Sequence, residues 1–532
     1  MWGGLPLMSE EFNISNAFYK TATNNPMSTA LVCDGNTLTY DEIWNDASKL
    51  ANYLKPHLKT KRVGVLGSRS AMAYIGIIGA AASGATYVPL NMKWPEERLI
   101  AIFDQLELDA VIVDKFGAKL MTDAVKTHAP KIIISSDHAH NADDIMKLSD
   151  LPSEHISEPV QRLPEELGYI IFTSGTTGMP KGVMISNSSL KIYLDEAHEW
   201  CDLNADDRIA EAHDLTFDLS VHNMFLAWRA GSALYIMSQL DMMAPQAFVR
   251  KHEITVWLSV PTIVNNVRRA NRLGPNLFPS LRLSMFCGEP LPIATIKAMQ
   301  EAAPNARIEN IYGPTECTIV CSRQTVTNPP LITEQRDILA IGNEFSNTKM
   351  LICDEEGNLM PDSEMGEIAL ESAKLADGYF KAEEQTKKAF RLVDGRRLYF
   401  TGDLGYRDEN GVLHYMGRTD NQIKMKGNRI ELEEVDTHLR KAAGTELAAI
   451  VAWPILEGIP QGLVGFAIEN GKTAAQIQMA MKKSLPLYMV PSKIHILADM
   501  PRNTSDKIDR KALREQLDNP PANETIKLEE AS

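Results

Sequence analysis

The feature that most constrains this chain is an apolar run that ends in a loop of glycines, hydroxyls and one lysine: Tyr169-Ile-Ile-Phe-Thr-Ser-Gly-Thr-Thr-Gly-Met-Pro-Lys-Gly-Val183. Tyr169 to Phe172 read as a buried strand. The loop after it carries the hydroxyls of Thr173, Ser174, Thr176 and Thr177, the glycines Gly175 and Gly178, and then Lys181 and Gly182. Glycines let backbone N–H groups crowd round an anion, and hydroxyls and a lysine add further donors. The pattern reads as a phosphate loop. It is not a Walker-type P-loop, because Lys181 is followed by Gly182 where that motif needs Ser or Thr.

Around the loop, strands alternate with helical segments. Strand candidates are Arg62–Leu66, Ala110–Val113, Lys131–Ile134, Tyr169–Phe172, Ala233–Met237, Ile254–Val260, Leu281–Cys287 and Arg307–Ile311. Thr39-Tyr-Asp-Glu42 is a capping box that predicts a helix over Tyr40–Leu54. This alternation predicts parallel sheets covered by helices on both faces. From about Thr348 short strands and turns take over, with Asn410-Gly411 as a hairpin signal, and a βα-type tail starts near Asp420. Residues 71–92 carry no charge and are long enough to span a membrane, but Ser83-Gly84 and Tyr87-Val-Pro89 break the run. A buried helix, a turn and a strand are expected there. A net charge of −15 argues against nucleic acid and anionic membrane as partners. Six scattered cysteines suit a reducing compartment, and the first residues lack a signal-peptide pattern, so a cytoplasmic location is expected.

Seven motifs in one order carry a resemblance. Besides the loop they are Tyr87-Val-Pro-Leu90, Phe217-Asp-Leu-Ser220, Tyr312-Gly-Pro-Thr-Glu316, Tyr399-Phe-Thr-Gly-Asp403, Gly417-Arg-Thr-Asp-Asn-Gln422 and Lys507-Ile-Asp-Arg510. Together they resemble the adenylate-forming enzymes: acyl- and aryl-CoA synthetases, luciferases and the amino-acid adenylation domains of nonribosomal peptide synthesis. The resemblance runs from about Leu38 to Leu513. It implies an α/β fold: a large N-terminal domain of doubly wound sheets with a small β-barrel-like subdomain (1–419), and a small mobile α+β C-terminal domain (420–517). Residues 518–532 read as a disordered tail.

The implied reaction uses ATP and Mg²⁺. A carboxylate attacks the α-phosphate and pyrophosphate leaves, so donors and cations must be in place beforehand. By resemblance the catalytic residues are Lys507, Thr315 and Glu316, with Glu316 also the metal carboxylate. ATP would be held by Thr173, Ser174, Gly175, Thr176, Thr177, Gly178 and Lys181 at the phosphates, Gly288, Glu289 and Tyr312 at adenine, Asp403 at the ribose, and Arg418 at the ribose or the phosphates. The segment departs from the family at Asp506, where glycine usually precedes the lysine.

Asp218 points to the substrate class. In amino-acid-activating members of the family an aspartate here pairs with the α-ammonium, whereas the position also suits a helix N-cap. The chamber implied around it is Leu219, His222, Leu258, Met285, Cys287, Ile311, Ile319 and Val320. That set is mostly apolar and predicts a small or medium neutral amino acid. Phe286-Cys-Gly-Glu289 and Asp218-Leu219 resemble the D-alanine–carrier protein ligases in particular. Cys317 and Cys321 read as packing, His138 and His140 as solvated, and His213 as an unassigned neighbour of Asp218. No carrier-type attachment site follows Lys507, so the second partner is expected to be a separate phosphopantetheinylated carrier protein, or CoA. Asp420 matches the family's hinge. Gly427 would admit the pantetheine arm, or would serve only as a turn residue. Two other readings remain open: an acyl- or aryl-CoA ligase, and a nucleotide-binding regulatory protein without catalysis.

Overall fold

The computed structural model describes residues 12–136, 145–175, 179–503 and 508–519. The chain divides into two compact units. One runs up to Asp420, without 93–98 and 174–180; the other holds those two short segments and the chain from Asn421 onward.

Among the described residues the first unit carries two large sheets. One has eight strands, ordered Gly378–Tyr379, Lys181–Ser186, Leu167–Thr173, Thr86–Pro89, Arg62–Leu66, Ala110–Val113, Ile132–Ser135, Met146–Lys147. Its neighbours are parallel from Leu167–Thr173 onward, and Lys181–Ser186 turns back antiparallel. The other has nine strands. Its parallel centre is Arg307–Tyr312, Leu283–Phe286, Val256–Ser259, Arg208–Glu211, Ala233–Ile236 and Thr29–Cys33, with antiparallel strands at both ends. Every strand expected from the sequence is present to within a few residues, and Arg62–Leu66 and Ala110–Val113 match end to end. The uncharged 71–92 segment is a buried helix, Ala71–Ala82, then a turn at Gly84 and the strand Thr86–Pro89. No helix among the described residues is long and apolar enough to cross a membrane.

The predicted capping box forms. Thr39 Oγ1 accepts from the Glu42 N–H, and a Glu42 carboxylate oxygen accepts from the Thr39 N–H at 2.8 Å. The short-strand texture after Thr348 is a five-stranded antiparallel sheet of Thr348–Cys353, Gly366–Ser372, Arg396–Arg407, Phe390–Val393 and Leu413–Arg418. Its Asn410-Gly411 turn is tied by Asp408, whose carboxylate accepts from the Asn410 and Val412 N–H groups.

In the second unit a hairpin, Gln422–Met425 and Asn428–Glu431, leads into helix Leu432–Ala443. A three-stranded sheet follows, with Leu463–Ile468 antiparallel to Ala448–Ala452 and parallel to Lys493–Leu497. The helices Ala474–Ser484 and Arg510–Asp518 complete it, the second capped by Asp509, which accepts from the Lys511 and Ala512 N–H groups. Within this unit a Glu434 carboxylate, fully buried, accepts from Arg98 Nη2 at 2.7 Å and from the Gly175 N–H at 3.2 Å.

Candidate active site

Strand ends carry several of the residues expected at the nucleotide. Thr173 closes one strand and Lys181 opens its antiparallel partner, in register across the hairpin. The Thr173 hydroxyl is buried with no hydrogen-bond partner among the described residues, and Lys181 Nζ lies 5.2 Å from the centre of the Tyr379 ring. Ser174 Oγ donates to the Arg429 carbonyl at 2.9 Å within the second unit. Thr176, Thr177, Gly178 and Lys507 lie outside the described residues, as do His138 and His140.

At the end of strand Arg307–Tyr312 the chain passes through Gly313-Pro314 into a short 3-10 turn, Thr315–Cys317. Glu316 is fully buried there, and its Oε1 accepts from the Tyr379 hydroxyl at 2.8 Å. The Tyr312 hydroxyl donates to Asp403 Oδ2 at 2.6 Å, and Arg418 Nη1 donates to Asp403 Oδ1 at 2.6 Å. Burial first, and then the Asp403 charge, push the Tyr312 phenol well above its ordinary range, so it stays a donor. Arg418 also grips Asp420 through Nε and Nη2, at 2.6 and 2.8 Å. The two carboxylates thus fix the guanidinium plane, and Asp403 keeps lone pairs for further donors. Gly288 has φ +85°, and Glu289 beside it accepts from the Thr262 N–H at 2.9 Å.

Asp218 is the first residue of helix Asp218–Ala230. The N-cap is Phe217, so the alternative reading of Asp218 as the cap fails by one residue. The carboxylate is buried. After burial itself, its charge is the next cause pushing the Tyr87 and Tyr169 phenols upward, and it also acts on Tyr193 behind the Cys201 and Cys287 thiols. The Tyr87 and Tyr169 hydroxyls are buried without a hydrogen-bond partner among the described residues.

Leu219, Leu258, Met285, Cys287, Ile311, Ile319 and Val320 all belong to one buried apolar cluster. Leu258 and Met285 face each other in parallel register. His222 is buried too. Its Nδ1 shares a hydrogen bond with the Tyr193 hydroxyl, and its Nε2 lies 3.9 Å from Cys201 Sγ. Burial, then neighbouring His213, lower its pKa to about 3, so the ring is neutral. His213 Nδ1 lies 3.1 Å from Glu211 Oε1. All six cysteines are buried and none is in a disulfide, Cys317 and Cys321 among them.

Sequence reasoning did not find Tyr379 or Tyr193. Tyr379 follows Gly378 in a two-residue edge strand, 63 positions from Glu316, and no local pattern announces it. Gly313 is a legible constraint only in three dimensions. A Cβ there would meet Ile319 O at 2.5 Å and Val320 Cα at 2.6 Å, both backbone. Gly313→Ala is therefore expected to cost about 1–3 kcal/mol of stability, read as a lower thermal midpoint; an unchanged midpoint would show that the turn yields freely.

With this geometry in place, comparison with known proteins is direct. Residues 18–380 match the AMP-binding enzyme family, and the chain belongs to that family of ligases. The D-alanine–D-alanyl carrier protein ligase of Bacillus cytotoxicus is 31% identical over 516 residues, covering 94% of this chain and 98% of the relative. The protein of that name from Bacillus cereus (strain G9842) is 32% identical with the same coverage. Among solved structures, the Vibrio cholerae adenylation domain AlmE in complex with glycyl-adenosine-5′-phosphate superposes with a TM-score of 0.85 at 30% identity, over 97% of this chain and 100% of that one. The o-succinylbenzoate CoA synthetase of Bacillus subtilis shares the fold, with a TM-score of 0.81 at 20% identity over 95% of this chain and 99% of its own.

Proposed function

We propose that the protein activates a small neutral amino acid with ATP, as the aminoacyl-adenylate, and transfers it to the phosphopantetheine thiol of a separate carrier protein. One observation carries this reading: the buried Asp218 carboxylate, at a helix start, beside three buried tyrosines and otherwise apolar side chains. A carboxylate so placed favours an ammonium and penalises an uncharged analogue, which would leave the charge without its partner. The names of the Bacillus relatives and the glycyl-adenylate of the Vibrio structure support an amino acid of the size of D-alanine or glycine.

In the first step a substrate carboxylate oxygen bonds to the α-phosphorus and the bond to the bridging oxygen breaks, releasing pyrophosphate. Lys181, Thr173 and the loop hydroxyls take the departing phosphates, Thr315 and Lys507 the α-phosphate. Asp403, oriented by Tyr312 and Arg418, accepts from the ribose hydroxyls. Tyr312 and Gly288-Glu289 flank the adenine. Glu316 is the acidic group suited to Mg²⁺. Among the described residues no cluster of three or more His, Cys, Asp or Glu could cage a metal. A single carboxylate, Glu316, would hold such an ion, whose remaining ligands would come from the nucleotide phosphates and water. When bound, that ion supplies charge neutralisation at the phosphates.

In the second step the carrier thiolate attacks the acyl carbon and AMP leaves. Asp420 would be the hinge for a movement of the residues after it, with Gly427 then lining the thiol's path. Lys426 and Gly427 have φ +51° and +78° and form the two-residue turn between Gln422–Met425 and Asn428–Glu431. A side chain at 427 thus meets both a backbone preference and the proposed path. Gly427→Leu is expected to leave pyrophosphate exchange near the parent rate and abolish thioester formation. Gly427→Asn, which tolerates the left-handed backbone, separates turn strain from obstruction. Equal loss of both half-reactions in Gly427→Leu would make the glycine a turn residue only.

The deciding experiment is substrate-dependent exchange of pyrophosphate into ATP across a panel of amino acids, both enantiomers, and their des-amino analogues. Exchange confined to small amino acids is the expected result. Preference for an acid without an amine would mean an acyl- or aryl-CoA ligase, and exchange with no acid at all would mean a nucleotide-binding protein without catalysis.

A further inference from the structure

We propose that Lys374 is a positioning residue for substrate selection: it clamps a strained turn, Thr318-Ile319-Val320, that forms one wall of the amino-acid chamber. This rests on the reading of Ile319 and Val320 as chamber residues given above.

The turn is improbable on backbone grounds. Thr318 has φ +53° and Ile319 φ +73°, two consecutive β-branched residues in the left-handed region. The Val320 N–H donates to the Thr318 carbonyl at 3.0 Å, closing a three-residue turn with Ile319 at its centre. At positive φ this is the rare, strained form of γ-turn, and β-branched side chains are disfavoured there. Such a conformation persists only where its surroundings over-determine it.

Lys374 supplies much of that determination. Its Nζ donates to the Val320 carbonyl at 3.0 Å, and its own carbonyl accepts from Thr318 Oγ1 at 2.6 Å. One residue therefore grips both ends of the turn. The lysine side chain is fully buried, and Glu196 Oε2 lies 2.8 Å from Nζ. Glu196 also accepts from Ser346 Oγ at 3.1 Å, which fixes the carboxylate. The ammonium sits 4.8 Å from the Phe345 ring centre and 5.4 Å from that of Tyr193. Tyr193 in turn shares its hydroxyl with His222, another of the expected chamber residues.

Stability does not account for this pair. Two buried charges cost desolvation, and replacing both with apolar groups of similar size is often neutral or favourable. What Lys374 adds here is a defined position for Ile319. Without the ammonium the Val320 carbonyl loses its donor and only the backbone carbonyl of residue 374 still holds Thr318; the turn then relaxes toward ordinary backbone angles, the Ile319 side chain moves, and the chamber loses its sharp limit on size.

The test is a double variant, Lys374→Met with Glu196→Gln, which removes both charges and roughly keeps the volumes. The readout is the ratio of kcat/KM in pyrophosphate exchange between the best small amino acid and its homologue one methylene longer. A methylene in an apolar pocket is discriminated by about 10–200-fold. The ratio is expected to fall about tenfold, with the KM for ATP unchanged. A merely structural role would lower all activities together and leave the ratio alone. If the double variant is not recovered folded, Glu196→Gln alone decides by the same ratio. A parent enzyme that discriminates by size, beside a folded variant that discriminates equally, overturns the inference and spares the proposed function. A parent that activates no amino acid overturns both.

Discussion

Lys507→Ala is expected to lose ~10²–10³ in the rate of adenylate formation, about 3–4 kcal/mol of transition-state stabilisation, which is what one preorganised donor at a developing charge contributes. The reaction brings the substrate carboxylate against a phosphate that is already anionic. A cation shared between the two lowers that repulsion most when charge is being redistributed, so the loss should fall on kcat more than on either KM. The same variant, given preformed aminoacyl-adenylate and a phosphopantetheinylated carrier protein with a free thiol, should still form thioester, because no phosphate bond is made in that step. Asp506 beside the lysine sharpens the experiment. A neighbouring carboxylate weakens the local field, so Asp506→Gly, which restores the family's usual residue, should leave the rate equal or raise it. Parent-level adenylation in Lys507→Ala would remove the lysine from the mechanism.

Legibility in the sequence followed the range of the interaction responsible. The helix Tyr40–Leu54 was readable end to end because its start signal, Thr39 with Glu42, lies within four residues. The uncharged 71–92 segment was readable because Gly84 and Pro89 break it locally, and the parallel strands because each is a short apolar run between turns. Lys181–Ser186 is not legible as a strand. Its first two residues belong to the loop motif, and its alternation is too short to stand out. Asp218 was placed on the right helix, but its distinction from a cap hangs on one residue, which is the uncertainty of any helix start read from sequence.

Contacts across long separations leave no local trace. Tyr379 reaches Glu316 from 63 positions away, and Lys374 reaches Glu196 from 178. The left-handed Thr318 and Ile319 are harder still, since β-branched residues argue against the conformation they adopt. Sequence reading fails there because tertiary packing overrides local preference, and such conflicts concentrate where function imposes them.

Asp218→Ala is expected to have the largest effect on substrate binding. Removing one member of a buried charge pair costs about 3–5 kcal/mol, most of it from the charge left behind. In the parent the ammonium of the amino acid would face the Asp218 carboxylate in a chamber of Leu219, Leu258, Met285, Ile311 and Val320, none of which can replace a carboxylate. In the variant the same ammonium enters an apolar chamber with no countercharge. The amino-acid KM should therefore rise by about two to nearly four orders of magnitude, the factor those energies convert to, while the KM for ATP stays near the parent value. The des-amino analogue of the same shape behaves oppositely. In the parent it leaves the buried carboxylate without an ammonium and should be a poor substrate; in the variant that penalty is gone, and its disadvantage against the amino acid should shrink or reverse. Asp218→Asn serves as a control for shape, because it keeps the volume and the position at the helix start while removing the charge. Steady-state exchange with the matched pair of acids measures both effects at once. A parent enzyme that already prefers the des-amino acid would place Asp218 outside substrate recognition and favour the acyl-CoA ligase reading.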